Sequence, residues 1–120
     1  MCHVLIIEDK PFIAMDIEDL LASAGATSFD IVATQADAIS AAMAHEPDVI
    51  TSDVSLIEGT GPAAVRVIHK ALGEIPVIFI TGTPEDCDPC DPPGVILGKP
   101  LDRCAIAAAF RSASASDHSN

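Results

Sequence analysis

Four of five short apolar runs in this chain lead into residues able to do chemistry. "VLII" runs into Glu8 and Asp9, and "VIT" passes through Ser52 to Asp53. "VIFI" ends on Thr81, and "VILG" on Lys99, with Pro100 after it. A buried run gains nothing by ending on an acid unless something pairs the charge or a cation sits beside it. Asp53 therefore either caps a helix or takes part in a reaction. Glu8 and Asp9 pose the same choice, because acids also suit the positive end of a helix dipole. Thr81 can be read as an ordinary strand end, and Lys99 as a snorkelling side chain.

Three carboxylates brought to one edge repel one another, and one takes a proton unless a cation intervenes. Mg²⁺ suits such a place, being a hard ion that takes oxygen ligands and keeps several waters. Asp9 and Asp53 are the expected direct ligands, with Glu8 acting through water and the backbone carbonyl of Ser55 as a further ligand. A metal there would neutralise an incoming phosphoryl group, whose transfer depends mainly on positioning and charge. Asp53 is then the nucleophile and forms an acyl phosphate. Lys99 holds one phosphoryl oxygen as a point charge, and the Thr81 hydroxyl donates to another.

These residues need a scaffold that delivers strand ends to one edge. Strands are expected at 3–7, 29–34, 48–52, 77–81 and 95–97. Between them, Ile13, Ile17, Leu20, Leu21 and Ala24 recur at helical spacing, with Pro11 at the start and Gly25 at the end. Ile39, Ala42 and Met43 mark a second helix opened by Thr34 or Gln35. Val65, Ile68 and Leu72 mark a third, stopped by Gly73. Ile106, Ala109, Phe110 and Ala113 mark the last, with Asp102 as its N-cap. Asp16, Glu18 and Asp19 form a solvated face. Apolar strands alternating with helices imply an α/β fold, a doubly wound five-stranded parallel sheet covered on both faces. In such sheets the site lies outside the carboxyl ends of the strands.

"GTPEDCDPCDPPG", residues 82–94, holds four prolines and four acids. Prolines remove donors and bias the preceding residue out of helix, so the fourth helix is expected to be short or missing and the segment mobile. The tail "SASASDHSN" is small and polar. The expected division is a domain over 1–111 and a flexible tail over 112–120.

The chain has 120 residues, 49% of them hydrophobic, and a formal net charge of −12. This length fits one domain with a real core. The charge argues against nucleic acid and anionic membrane as partners. No apolar run approaches the roughly 20 residues of a membrane helix. "MCHVLIIEDK" lacks the basic start and long apolar core of a secretory signal, so a cytoplasmic location is expected. Four cysteines at scattered spacings make no disulfide framework.

The ordered set "IIED", "ITSDVSLIEGTG", "IFITG" and "GKP" resembles the receiver domain of two-component response regulators, from Val4 to about Phe110. The resemblance implies a flavodoxin-like sheet of order 2-1-3-4-5 and a phosphorylatable Asp53. It also implies a Mg²⁺ site at Glu8, Asp9 and Asp53, a switch hydroxyl on Thr81, a phosphate-binding Lys99 and a cis Lys99–Pro100 bond. It makes the protein a signalling module whose only chemistry is Mg²⁺-dependent self-phosphorylation and dephosphorylation. The implied partners are a sensor histidine kinase or phosphotransfer protein and an unknown downstream protein. The Gly-containing stretch after Asp53 looks like a subgroup that often partners kinases of the HWE/HisKA2 type, and "FITG" looks like single-domain receivers of that group. The sequence departs from the family at Ile96, where many receivers carry Tyr or Phe, and in the shortened fourth helix. A stand-alone receiver with no effector domain is expected, with output through protein contacts or as a phosphate sink.

Two rival functions remain. "CDPC" places Cys87 and Cys90 at redox or metal spacing after a strand, but Glu85, Asp86, Asp88 and Asp91 oppose thiolate formation, and a zinc site needs about four ligands. Cys104 approaches from the last helix, whereas Cys2 begins the first strand at the other end. An aspartyl-nucleophile phosphatase is the second rival. Many such enzymes carry an acid two residues after the nucleophile, where this chain has Ser55. His3, His45, His69 and His118 are dispersed and make no evident ligand pair.

Overall fold

Alternating runs of branched apolar residues build a sheet whose two faces both have to be covered. The structure, a computed structural model, describes residues 2–82, 95–99 and 102–117, with side chains as far as Ser114. The strands are β1 (His3–Ile7), β2 (Ser28–Val32), β3 (Val49–Ser52), β4 (Val77–Thr81) and β5 (Val95–Gly98). They form one parallel sheet of order β2-β1-β3-β4-β5. The helices among the described residues are α1 (Pro11–Ser23), α2 (Gln35–Ala44), α3 (Gly61–Leu72) and α4 (Arg103–Asp117).

The strand period of two divides the core into two layers. Val4, Ile6, Ile78 and Ile80 pack with Ile17, Leu20 and Leu21 of α1 and Ile106 and Phe110 of α4. Leu5, Ile7, Val77 and Phe79 pack with Ala38 and Ala42 of α2 and Ala64, Val65 and Ile68 of α3. The doubly wound reading of the sequence thus holds.

Helix ends follow local chemistry. Pro11 occupies the first turn of α1, and Gly25 takes φ +119° just past its C-cap. The Thr34 hydroxyl accepts the Asp37 N–H at 3.1 Å, so Thr34 caps α2 and β2 stops at Val32, short of the expected end at 34. Thr60 caps α3 through the Ala63 N–H, and Gly73 ends it with φ +96°. Asp102 Oδ1 accepts the Ala105 N–H at 3.1 Å, as expected of an N-cap.

Two expectations need correction. Met43 is 44% exposed, whereas Ala42 is buried and Ile39 packs half-buried against the core as expected, with Ala38 buried beside them. One residue further along a helix turns about 100° away, which carries Met43 off the sheet. The expected tail boundary at 111 falls inside α4, which continues to Asp117. Alanine favours helix, and the Ser114 hydroxyl donates back to the Phe110 carbonyl at 3.0 Å, so its polar group is satisfied within the helix. The expected short or missing fourth helix, Cys87, Cys90, Pro100 with its cis bond, and His118 lie outside the described residues.

Candidate functional site

Parallel pairing carries the carboxyl ends of β1, β3 and β4 to one edge. Ile7 lies opposite Ser52, so the residues after each strand, Glu8 and Asp53, emerge side by side. The Asp53 N–H donates to the Ile7 carbonyl at 2.9 Å, and the Glu8 N–H to the Val32 carbonyl at 2.9 Å, which fixes both backbones. Thr81 lies opposite Gly98, and the Lys99 N–H donates to the Thr81 carbonyl at 2.8 Å. Glu8, Asp53 and Thr81 are buried.

The side chains converge. Lys99 Nζ is 3.1 Å from Asp53 Oδ2 and 3.2 Å from Glu8 Oε1. The other Asp53 oxygen, Oδ1, accepts the Val54 N–H at 2.7 Å. Glu8 Oε2 accepts the Lys10 N–H at 3.2 Å. One carboxylate oxygen from each of Glu8, Asp9 and Asp53 lies within 4.8 Å of the others. Asp9 Oδ1 is buried without a hydrogen-bond partner among the described residues, the Lys10 ammonium standing off at 3.6 Å.

Burial, and next the charge of Asp53, raises the Glu8 carboxyl above 4.5, against the pull of Lys99. Burial alone would lower the Lys99 ammonium. The hydrogen bond to Asp53 and the charges of Glu8 and Asp53 outweigh it, and the net shift is upward from 10.5. The Lys99 shift reflects the negative charge that Glu8 and Asp53 place around it, whereas burial leads the Glu8 shift. An all-oxygen donor set with one orphaned oxygen fits a hard divalent cation, and Mg²⁺ is such an ion.

The loop after Asp53 is held tightly. Ser55 is exposed and bridges antiparallel to Thr60. The Gly61 N–H donates to the Val54 carbonyl at 3.0 Å. A Cβ at Gly61 would collide with the Asp53 carbonyl oxygen and with Ser52 Oγ, so only glycine fits below the carboxylate. At Gly59, φ is +79° and Gln35 packs against the backbone. The Thr60 N–H donates to Gln35 Oε1 at 3.2 Å, and the Gln35 N–H to the Glu58 carbonyl at 3.0 Å. Asp53 stands just past the end of β3, where the sequence puts it; Gly61 was not singled out there, and its signal was a glycine at the first position of a helix.

Ile96 pairs with Phe79 and packs against the layer under α2 and α3. Cys2 is buried at the far end of β1, and Cys104 is exposed on α4. His69 Nε2 lies 2.8 Å from the Ile75 carbonyl oxygen and makes a local link. His3 and His45, which spacing left unrelated, stack against one another.

Comparison with known proteins bears on this geometry. Residues 4–89 match the response regulator receiver domain. The phyllosphere-induced regulator PhyR of Methylorubrum extorquens is 34% identical over 115 residues, 92% of this chain. The chain spans 43% of that relative's length. The chemotaxis protein CheY of Bacillus subtilis is 32% identical over 83 residues, 66% of this chain and 67% of that protein. The solution structure of the receiver domain of PhyR from Erythrobacter litoralis superposes with a TM-score of 0.84 at 33% identity. It covers 93% of this chain and 88% of that one.

Proposed function

We infer, from the premise that this chain belongs to the response regulator receiver domain family, that it accepts a phosphoryl group on Asp53 from a histidine kinase in a Mg²⁺-dependent reaction. The observation that carries this reading is Lys99 Nζ shared between Asp53 and Glu8, at 3.1 Å and 3.2 Å, beside a buried Asp9 oxygen that accepts no hydrogen bond from the described residues.

A Mg²⁺ ion held by Asp9, Asp53, Glu8 through water and the Ser55 carbonyl would supply neutralisation of the incoming charge. The chain's own residues do the rest. An Asp53 carboxylate oxygen attacks phosphorus, the bond from phosphorus to the donor's imidazole nitrogen breaks, and that nitrogen keeps the electron pair. The Val54 N–H holds the other Asp53 oxygen in place. Lys99 passes from the carboxylate to a phosphoryl oxygen, and Thr81 donates to another. The acyl phosphate then shifts the population between two arrangements of this edge. Hydrolysis by water returns the free carboxylate.

The protein acts in the cytoplasm as a single-domain regulator, by contact with a downstream protein or as a phosphate sink. Its kinase is of the HWE/HisKA2 type. Similarity to the receiver portion of PhyR and to CheY supports a signalling role over turnover of small phosphate esters. The test is intact mass after incubation with Mg²⁺ and acetyl phosphate. One phosphoryl adduct is expected in the parent, lost in Asp53→Asn and with EDTA. An adduct that persists in Asp53→Asn overturns the assignment. The single-domain role is tested by the size of the native protein in cells, where a product much larger than one receiver domain overturns it.

A further inference from the structure

The opposite edge of the sheet carries a second convergence that phosphoryl chemistry does not use. His3 opens β1, Ser28 and Asp30 lie on β2, and His45 follows α2 as its C-cap. His3 is 6% exposed. Its Nδ1 lies 2.8 Å from Ser28 Oγ and its Nε2 lies 3.0 Å from Asp30 Oδ2. The His45 ring stacks on it, with centroids 3.6 Å apart and planes inclined by 14°. One ligand atom from each of His3, Asp30 and His45 lies within 4.8 Å of the other two. The length of β1 separates this cluster from Glu8 by about 16 Å, at roughly 3.3 Å per residue.

We propose that His3, Asp30 and His45 form a zinc site, with water as the fourth ligand. Two imidazoles and a carboxylate are a donor set suited to Zn²⁺. Bonds of about 2.0–2.1 Å in a tetrahedron set donors roughly 3.3 Å apart. The pair His3 Nε2 and Asp30 Oδ2 is already near that spacing, and they sit on paired strands that hold it. His45 completes the set by turning its exposed ring out of the stack, so that the metal lies in the plane of both imidazoles.

The surroundings of His3 fit a ligand. Its backbone N–H donates to Asp48 Oδ2 at 2.8 Å, and the Asp48 N–H donates to the His3 carbonyl at 2.7 Å, which anchors the residue. Ser28 supplies the partner for the second ring nitrogen that metal-bound histidines generally have. With zinc on Nε2, the neutral ring carries its hydrogen on Nδ1 and donates it to Ser28 Oγ. A His3–Asp30 hydrogen bond alone would link β1 to β2 without help from α2. His45 adds a third donor from a separate element, and zinc would tie β1, β2 and the end of α2 together.

The test is a Zn²⁺ titration of the full chain, by calorimetry and by thermal melting, with Mg²⁺ in excess to occupy the Asp53 edge. One zinc per chain is expected in the parent and in Cys87→Ser/Cys90→Ser, with a rise in Tm. In His45→Ala and in Asp30→Asn the apparent Kd should rise at least about tenfold and the zinc-dependent rise in Tm should be lost. His45→Ala also removes the ring stack on His3, whereas Asp30→Asn does not, so a loss of zinc shared by the two variants reports the metal. No stoichiometric zinc in the parent overturns the proposal. So does binding that survives both His45→Ala and Asp30→Asn, or that vanishes with the two thiols.

Discussion

Lys99 Nζ stands 3.1 Å from Asp53 Oδ2 and 3.2 Å from Glu8 Oε1, so one ammonium is shared by two buried carboxylates that follow different strands. The pairing sets the resting charge of the edge and its response to ligands. Removing the ammonium leaves two buried acids facing each other. Lys99→Met is expected to lower the stability of the metal-free protein by about 3 kcal/mol, and Mg²⁺ should restore more stability in the variant than in the parent. Urea unfolding with EDTA and with Mg²⁺ reads both effects. Equal gains from Mg²⁺ in the two proteins would show that Lys99 does not balance the carboxylates.

Gly61 lies where a side chain would strike the Asp53 carbonyl oxygen and Ser52 Oγ. Gly61→Ala must therefore move the backbone that carries Asp53. A loss of roughly 1–3 kcal/mol is expected from overpacking, with slower phosphorylation by acetyl phosphate at saturating Mg²⁺. Intact-mass time courses decide it, and an unchanged rate would mean that the backbone of Asp53 tolerates the shift.

Thr51 is buried on β3, and its Oγ1 has no hydrogen-bond partner among the described residues. Thr51→Val keeps the shape and removes an unsatisfied hydroxyl. Stability is expected to rise by about 1 kcal/mol, read as a higher urea midpoint with unchanged slope. A lower midpoint would indicate that water satisfies the hydroxyl.

Glu8 has its carboxyl raised above 4.5, by burial and then by Asp53. Above 4.5 the folded protein therefore keeps a proton on Glu8 that the unfolded chain has lost. Stability from this group is fully present below 4.5 and is lost as pH rises through the folded value. In metal-free protein, urea midpoints should fall along that window, and Glu8→Gln should flatten the decline. Mg²⁺, which favours the charged form, should flatten it too. A slope unchanged by Glu8→Gln would place the titration on another group.

Local patterns carried much of this protein in its sequence. Five apolar runs, helical faces such as Ile17, Leu20 and Leu21, and punctuation by Pro11, Gly25, Gly73 and Asp102 give the elements, because side-chain period and turn chemistry act over a few residues. The residues after four of those runs pointed to one candidate edge, since parallel strands present their carboxyl ends together. Tertiary structure alone decided which of those residues meet. Lys99 reaches Asp53 across 46 positions and Glu8 across 91, and only the strand order and register bring them within hydrogen-bond distance. The tight fit of Gly61 under Asp53 and the stacking of His45 on His3 have the same origin. No spacing along a chain encodes a contact made by packing separate elements on two sides of a sheet.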